Sequence, residues 1–263
     1  MLGSPIAHSK SPALHRAAYR ALGLDWEYDA IEVTTDTLPA FVESRGRDWR
    51  GLSLTMPLKR AVLPMLGGLD EFAELTGAAN TVLFGGGMHH GFNTDVSGAI
   101  DALTAAGVDS VDDVRILGGG ATAASMVVAV SRLGARRLAL SARSPDRVGA
   151  IIALCERLGL SLAVEELGSD GVDWEPSLVI STLPNGVEVN LVPVAGATLF
   201  DVAYEPWPTT VAAPWLEAGL TVVPGIELLL RQAIAQVRIF VNGSPARQLD
   251  REAEVFAAMR EAA

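Results

Sequence analysis

Residues 114–125 read Val-Arg-Ile-Leu-Gly-Gly-Gly-Ala-Thr-Ala-Ala-Ser. Val114 to Leu117, apolar except for Arg115, runs straight into Gly118, Gly119 and Gly120. Ala121 to Arg132 follows, rich in Ala, Val and Met and uncharged until its last residue. An apolar run, a glycine turn and an apolar stretch of helical length predict strand, tight turn and buried helix. Glycines at such a turn let the backbone approach a pyrophosphate with no Cβ in the way. The helix then offers its free N–H groups and the positive end of its dipole to the phosphate charge. Glycine clusters also occur in surface turns, so the apolar runs on both sides are what select the dinucleotide reading.

The next apolar run, Arg137 to Ala142, predicts the second strand of the unit. A dinucleotide site for NAD carries an Asp or Glu about 20 residues past the first glycine, on the ribose hydroxyls. No acid occurs here between Gly134 and Ser144. Ser141, Ala142, Arg143 and Ser144 form the strand tip, with Arg147 one helical turn on. Guanidinium forks match phosphate oxygens and stay charged, so the tip favours a 2′-phosphate and NADP(H) over NAD.

Composition sets the outer limits. At 263 residues the chain is comfortable for two domains. Its net charge of −11 argues against a nucleic-acid partner. No apolar run reaches the roughly 18 uncharged residues of a membrane span, and no basic-then-apolar leader opens the chain, so the expected compartment is the cytoplasm. One cysteine, Cys155, excludes an internal disulfide and sits in a helical pattern as a buried thiol. Among 20 basic residues only Lys10 and Lys59 are lysines. Arginine cannot release a proton in a protein and lysine can, so a retained lysine marks a position where that difference counts.

Residues 1–96 precede the dinucleotide unit. Gly3 to His15 gathers hydroxyls and imidazoles around two prolines; Pro12 suits a first helical turn, with Ser11 as its cap and Gly23 as its stop. Tyr28 to Val33 predicts a strand and Thr35 to Glu43 a helix. Leu52, Leu54 and Met56 alternate with Ser53 and Thr55, a strand with one polar face; Pro57 ends it and Lys59 opens the next helix. Ser53, Thr55 and Lys59 therefore converge at one strand end, a pattern a solvated edge strand also shows. A short acidic helix from Asp70 to Gly77 leads to a strand at Ala78 to Phe84, a turn through Gly85, Gly86 and Gly87, and His89 and His90. No Cys or carboxylate stands at ligand spacing from these histidines, so no metal site is predicted. Asn93, Thr94 and Asp95 precede a helix from Ser97 to Ala106, with capping by Asp95 or Ser97 as the ordinary explanation. Beyond Arg147 strands and helices alternate: strands at Leu162–Glu165, Leu178–Ser181 (running into Thr182 to Gly186), Ala197–Tyr204 and Leu220–Val223, and helices at Asp146–Leu158, Thr209–Ala218, Ile226–Phe240 and Leu249–Met259. That alternation predicts an α/β protein with a doubly wound parallel sheet.

Seven stretches in order carry a resemblance: Gly3 to His15, Ser53 to Lys59, Gly77 to Thr81, Asn93 to Asp95, the glycine turn, Tyr204, and Gly225 to Gln232. Over nearly its whole length the chain resembles the shikimate dehydrogenase family, which reduces 3-dehydroshikimate with NADPH in aromatic amino-acid and chorismate biosynthesis. The resemblance implies two domains. One is an α/β substrate-binding and catalytic domain, 1–96 plus 229–263, to which the C-terminal helices return. The other is a Rossmann-like, doubly wound NADP-binding domain, 97–228. It further implies that Ser9 and Ser11, with Tyr204, hold the substrate carboxylate. Thr55, Asn80, Asp95 and Gln232 meet the ring hydroxyls, Ser53 standing where the family has Asn. Lys59 is the catalytic group beside Asp95. Gly118 to Thr122, including Gly119, Gly120 and Ala121, take the pyrophosphate; Ala142, Arg143, Ser144 and Arg147 take the adenosine phosphate. Gly225 and Leu228 lie near the nicotinamide, and Glu71 touches the cofactor. The expected ligand is a small polyol acid, and the assembly a monomer or homodimer. Three departures stand out: Ser53 for Asn, Ala142 for the Asn that begins the strand tip, and Arg16 for an amide. A quinate/shikimate dehydrogenase using NAD or both cofactors is the nearest alternative, and a non-catalytic NADP-binding sensor the alternative from another class.

Overall fold

A computed structural model describes residues 1–263 except Gly86, Asp170, Asn185 and Asn190, and leaves the Arg147 side chain undescribed. The chain divides into two compact units: Met1–Gly98 with Leu229–Ala263, and Ala99–Leu228. Both are α/β.

The first unit runs β1 (Leu2–Gly3), α1 (Ser11–Leu22), β2 (Ile31–Glu32), α2 (Leu38–Glu43), β3 (Gly51–Ser53), α3 (Leu58–Ala61), β4 (Gly68–Leu69), α4 (Glu71–Thr76), β5 (Thr81–Phe84), β6 (His89–Phe92) and the start of α5 (Thr94–Ala105). β1 and β2 pair in parallel, and Leu2 makes an isolated parallel bridge to Leu54. The larger sheet has the order β3-β5-β6-β4, with β5 antiparallel to both neighbours and β4 parallel to β6. The sheet of this unit is therefore mixed. The hairpin turn after Phe84 reverses the chain too tightly for a parallel crossover. The predicted strand over Leu52–Met56 also stops early, at Ser53. Leu54 donates its N–H to Asn80 O, Thr55 donates to Leu2 O and Leu58 to Thr55 O, so the ladder changes partners and the chain turns into α3. Leu2, Leu52, Leu54, Leu58, Ala79 and Val82 make one apolar core behind these strand ends.

The second unit completes α5 and continues with β7 (Asp113–Leu117), α6 (Ala121–Arg132), β8 (Arg137–Ala142), α7 (Gly149–Leu158), β9 (Ser161–Glu166), β10 (Leu178–Ser181), β11 (Thr198–Asp201), α8 (Ala212–Glu217), β12 (Val222–Pro224) and the first turn of α9 (Gly225–Asn242). The rest of α9 and α10 (Glu252–Glu261), which packs along α1, belong to the first unit. All pairings among the six strands are parallel, in the order β12-β11-β10-β7-β8-β9. That is the doubly wound order of dinucleotide-binding folds. Its reversal point lies between β7 and β10, where such sheets open a crevice at their carboxyl ends. β10 is buried along its whole length, and β8 along all but its first residue, as a sheet covered on both faces requires. Cys155 is buried on α7, and burial pushes its thiol up to about 11.

Candidate active site

In the first unit the ends of β3, β5 and β6 bring together four segments of polar residues. The α5 helix begins at Thr94, so Asp95 lies in its first turn. Asn93 Oδ1 accepts the Asp95 N–H at 3.1 Å. Asn93 therefore does the work expected of Asp95 or Ser97, and the Asp95 carboxylate is free for other partners. Lys59 Nζ reaches Asp95 Oδ2 at 2.5 Å, the two side chains being only 12% and 8% exposed. Asn80 Nδ2 donates to the other oxygen, Oδ1, at 2.8 Å. A carboxylate held from both sides presents the ammonium in one place.

Further bonds fix Asn80 itself. Its Oδ1 accepts from the Thr94 N–H (3.0 Å) and the Thr81 hydroxyl (2.8 Å), and its Nδ2 also donates to Thr94 Oγ1 (2.9 Å). Asn93 is tied in turn to Thr76 Oγ1 at 2.8 Å. The Asn93 N–H donates to Asp70, the N-cap of α4, whose carboxyl burial raises above its usual range. The Lys59 carbonyl accepts the Ala79 N–H at 2.8 Å, so the helix carrying the lysine is pinned to the segment carrying Asn80.

The glycine turn of the second unit has its own geometry. Gly118 sits at φ +105°, and a Cβ there would stand 2.4 Å from Thr182 Oγ1, across the gap between β7 and β10. Only glycine fits, on both counts. A Cβ on Gly119 would meet Val148 Cγ1 at 2.8 Å, whereas Gly120, the N-cap residue of α6, faces open space. Ala121 and Thr122 open α6 and are half-buried. At the tip of β8, Ala142 is buried, Ser144 half-buried and Arg143 exposed. The neighbouring acid Glu165, on β9, is bound by Arg115 at 2.7 Å and by the Ser141 hydroxyl. Its carboxylate is therefore already committed. The cradle, the helix N-terminus and a basic, acid-poor strand tip fit a dinucleotide with a phosphorylated ribose.

Residues 1–82 match the family model for the shikimate dehydrogenase substrate binding domain. A shikimate dehydrogenase (NADP(+)) of Methanothermobacter thermautotrophicus is 32% identical over 258 residues, covering 93% of this chain and 91% of that protein. The chain belongs to the shikimate dehydrogenase family. The shikimate dehydrogenase of Mycobacterium tuberculosis is 34% identical, covers 99% of this chain and 97% of its own, and superposes with a TM-score of 0.83. A Thermus thermophilus enzyme, solved with NADP(H) and shikimate, is 29% identical with a TM-score of 0.82, covering 100% of this chain and 98% of its own.

Ser11 opens α1 but does not cap it: Lys10 is the cap residue, no side-chain cap bond forms, and the buried Ser11 hydroxyl finds no partner among the described residues. Ser9 Oγ accepts the Ser11 N–H at 3.3 Å. Thr55 is half-buried beside Gly3, where a Cβ would collide with its methyl group. Gln232 Nε2 donates to Leu229 O at 2.8 Å, and its backbone packs against Gly98, where a Cβ would lie 2.8 Å from the Gln232 backbone nitrogen. Tyr204, half-buried, belongs to the second unit. In that unit a Cβ on Gly225 would strike Val202 O, and Leu228 is buried. Glu71 is exposed at the start of α4. The Arg147 side chain and Asn185 fall outside what the structure describes. His89 is half-buried and His90 exposed on β6, and no metal-binding cluster occurs among the described residues.

Two residues have a place in the fold that their sequence context does not announce. His15 and Gln236 are both buried, and Ser53 Oγ donates to Gln236 Oε1 at 2.9 Å. The available signal was a lone polar residue among Ala233, Ile234, Ala235 and Val237, one turn beyond Gln232.

Proposed function

We infer that this chain is an NADPH-dependent shikimate dehydrogenase, catalysing the reversible reduction of 3-dehydroshikimate to shikimate. Family membership supplies the reaction. The observation in this chain that carries it is the buried Lys59–Asp95 pair held by Asn80. Reducing a ketone takes a hydride to its carbon and a proton to its oxygen. When bound, the reduced nicotinamide supplies the hydride. Lys59 gives its proton to the forming alkoxide and stabilises the charge as it develops. Asp95 holds the ammonium in position and, with Asn80, Thr55 and Gln232, takes the ring hydroxyls. Ser9 and Ser11, with Tyr204, hold the carboxylate.

In this reading 1–96 with 229–263 is the substrate-binding and catalytic domain, and 97–228 the NADP-binding domain. Gly118, Gly119, Gly120, Ala121 and Thr122 take the pyrophosphate. Ala142, Arg143, Ser144 and Arg147 take the 2′-phosphate end. Gly225 and Leu228 flank the nicotinamide, and Glu71 touches the cofactor. No helix among the described residues is long and apolar enough to cross a membrane; in this reading the enzyme is cytoplasmic, a monomer or homodimer.

The test is cofactor reduction followed by NADPH absorbance, with shikimate or quinate against NADP or NAD, for wild type and Arg143→Ala. Turnover of shikimate with NADP, with a KM for NADP raised about tenfold or more in Arg143→Ala, is the expected result. Preference for quinate or NAD would overturn the substrate or cofactor assignment. Binding of NADP with no turnover of either polyol would leave the sensor reading.

A further inference from the structure

Behind the substrate-facing strand ends lies a buried polar chain that the reaction as described does not use. Gln236, on α9, sits among Ser53 at the end of β3, His15 on α1 and the backbone of Asn80. Its Oε1 accepts from Ser53 Oγ at 2.9 Å and lies 3.1 Å from His15 Nε2, and its Nε2 reaches Asn80 O at 3.4 Å. All four residues are buried.

The donor pattern of this cluster has a single solution. Asn80 O is a backbone carbonyl and can only accept, so the Gln236 NH2 group must face it. The Gln236 oxygen then faces Ser53 and His15, and both must donate to it. His15 is therefore the Nε2–H tautomer, leaving Nδ1 to accept the Tyr19 hydroxyl at 3.3 Å. Burial keeps this imidazole neutral, its pKa down at about 3. The Ser53 proton is committed to Gln236, so that hydroxyl presents only its two lone pairs to anything else. The buried Tyr28 hydroxyl also lies near Ser53 and would take one of them at most. A serine hydroxyl is otherwise a rotor that donates or accepts as its neighbour demands.

We propose that Gln236 is a positioning residue for the substrate, acting through Ser53. By accepting the Ser53 hydrogen bond it leaves that side chain an acceptor for a hydroxyl of the bound polyol. Gln236 itself touches no reacting atom. The proposal rests on the reading of Ser53 as a substrate contact, and its consequence is specificity: a ligand hydroxyl donating at this point is accepted, and a group that can only accept is refused.

The experiment is a double-mutant cycle on the full-length enzyme with Ser53→Ala, Gln236→Met and the pair, measuring kcat, both KM values and thermal midpoint. Methionine keeps the length and volume of glutamine without its donor and acceptor. If Met fails to fold, Gln236→Ala leaves a polar space that water can enter and serves as the second variant. The expected result is a KM for shikimate about tenfold higher in each single variant and no higher in the double, with KM for NADP unchanged. Non-additivity shows that the two residues act through one bond, and a purely structural role lowers the thermal midpoint without this pattern. A KM for shikimate within twofold of wild type in the Gln236 variant overturns the proposal, as does multiplication of the two single effects. An unchanged KM in Ser53→Ala removes Ser53 from the substrate contacts and the proposal with it. Absence of turnover in the wild type would instead sink the functional reading itself.

Discussion

Replacing Lys59 by methionine removes the ammonium and almost nothing else. The methionine side chain has nearly the same length, and Lys59 is mostly buried beside Asp95. Asp95 keeps the Asn80 donor on Oδ1 but loses its charged partner on Oδ2. A buried carboxylate left with one neutral donor costs about 1–3 kcal/mol of stability, the lower end applying because Asn80 remains. The catalytic loss is larger. Proton delivery from a placed group and stabilisation of the forming alkoxide each supply about 10²-fold or more. They reside in one ammonium and overlap, so the net expectation is a kcat about 10³-fold lower. Asp95→Asn tests the same unit from the other side. With Asn80 donating to its oxygen, the new amide nitrogen faces the lysine, donor against donor, and the ammonium is displaced. The double variant Lys59→Met with Asp95→Asn should be no slower than Lys59→Met alone, since one machine is being dismantled twice. It should also unfold at a higher temperature than the single lysine variant, because no unpaired charge remains. Initial rates by NADPH absorbance, with shikimate binding measured by thermal shift, separate the two quantities. A folded Lys59→Met enzyme that binds shikimate and keeps kcat within tenfold of wild type would refute the role given to this pair.

Three further outcomes follow from the same structure. Burial, the largest influence, takes His15 from 6.5 to about 3, so an unfolded chain binds a proton between those values that the native protein refuses. Stability is therefore lost as pH falls through that window, by on the order of 4 kcal/mol at its lower end; denaturant titrations should show a slope that His15→Asn flattens, and an imidazole titrating above pH 5 in the native protein would contradict this. A Cβ at position 225 would lie 2.3 Å from Val202 O and 2.5 Å from its carbonyl carbon, both backbone atoms; Gly225→Ala should cost about 2 kcal/mol or more in urea unfolding, and a cost under about 0.5 kcal/mol would show that the backbone yields freely. The Cys155 thiol, pushed up to about 11 by burial, should resist a thiol reagent at neutral pH until denaturant is added, and rapid labelling of native protein would place it at the surface.

Local pattern carried much of this protein. β8, β10 and α6 have the bounds their apolar runs suggest. In a doubly wound sheet a strand buried on both faces is written as a continuous apolar stretch, and the glycine turn marks where β7 becomes α6. The first unit was less legible. Its strands are two to four residues long, too short for a period to show, and the antiparallel pairing of β3, β5 and β6 is set by a hairpin and by partners distant in sequence. Asp95 shows why the site could not be finished from sequence. Its position before a helix suggested capping, but Asn93 takes that role, and only then is the carboxylate available to a lysine 36 residues away. Ser11 shows the converse: a cap by sequence, it is a buried hydroxyl without a partner among the described residues. The bond from Ser53 to Gln236 spans 183 residues. Nearest neighbours in the chain are enough to write the dinucleotide turn, the alternation of elements, and the residue types that the chemistry needs. Which donor faces which acceptor emerges on folding, because buried hydrogen bonds are satisfied in three dimensions and each assignment fixes the next.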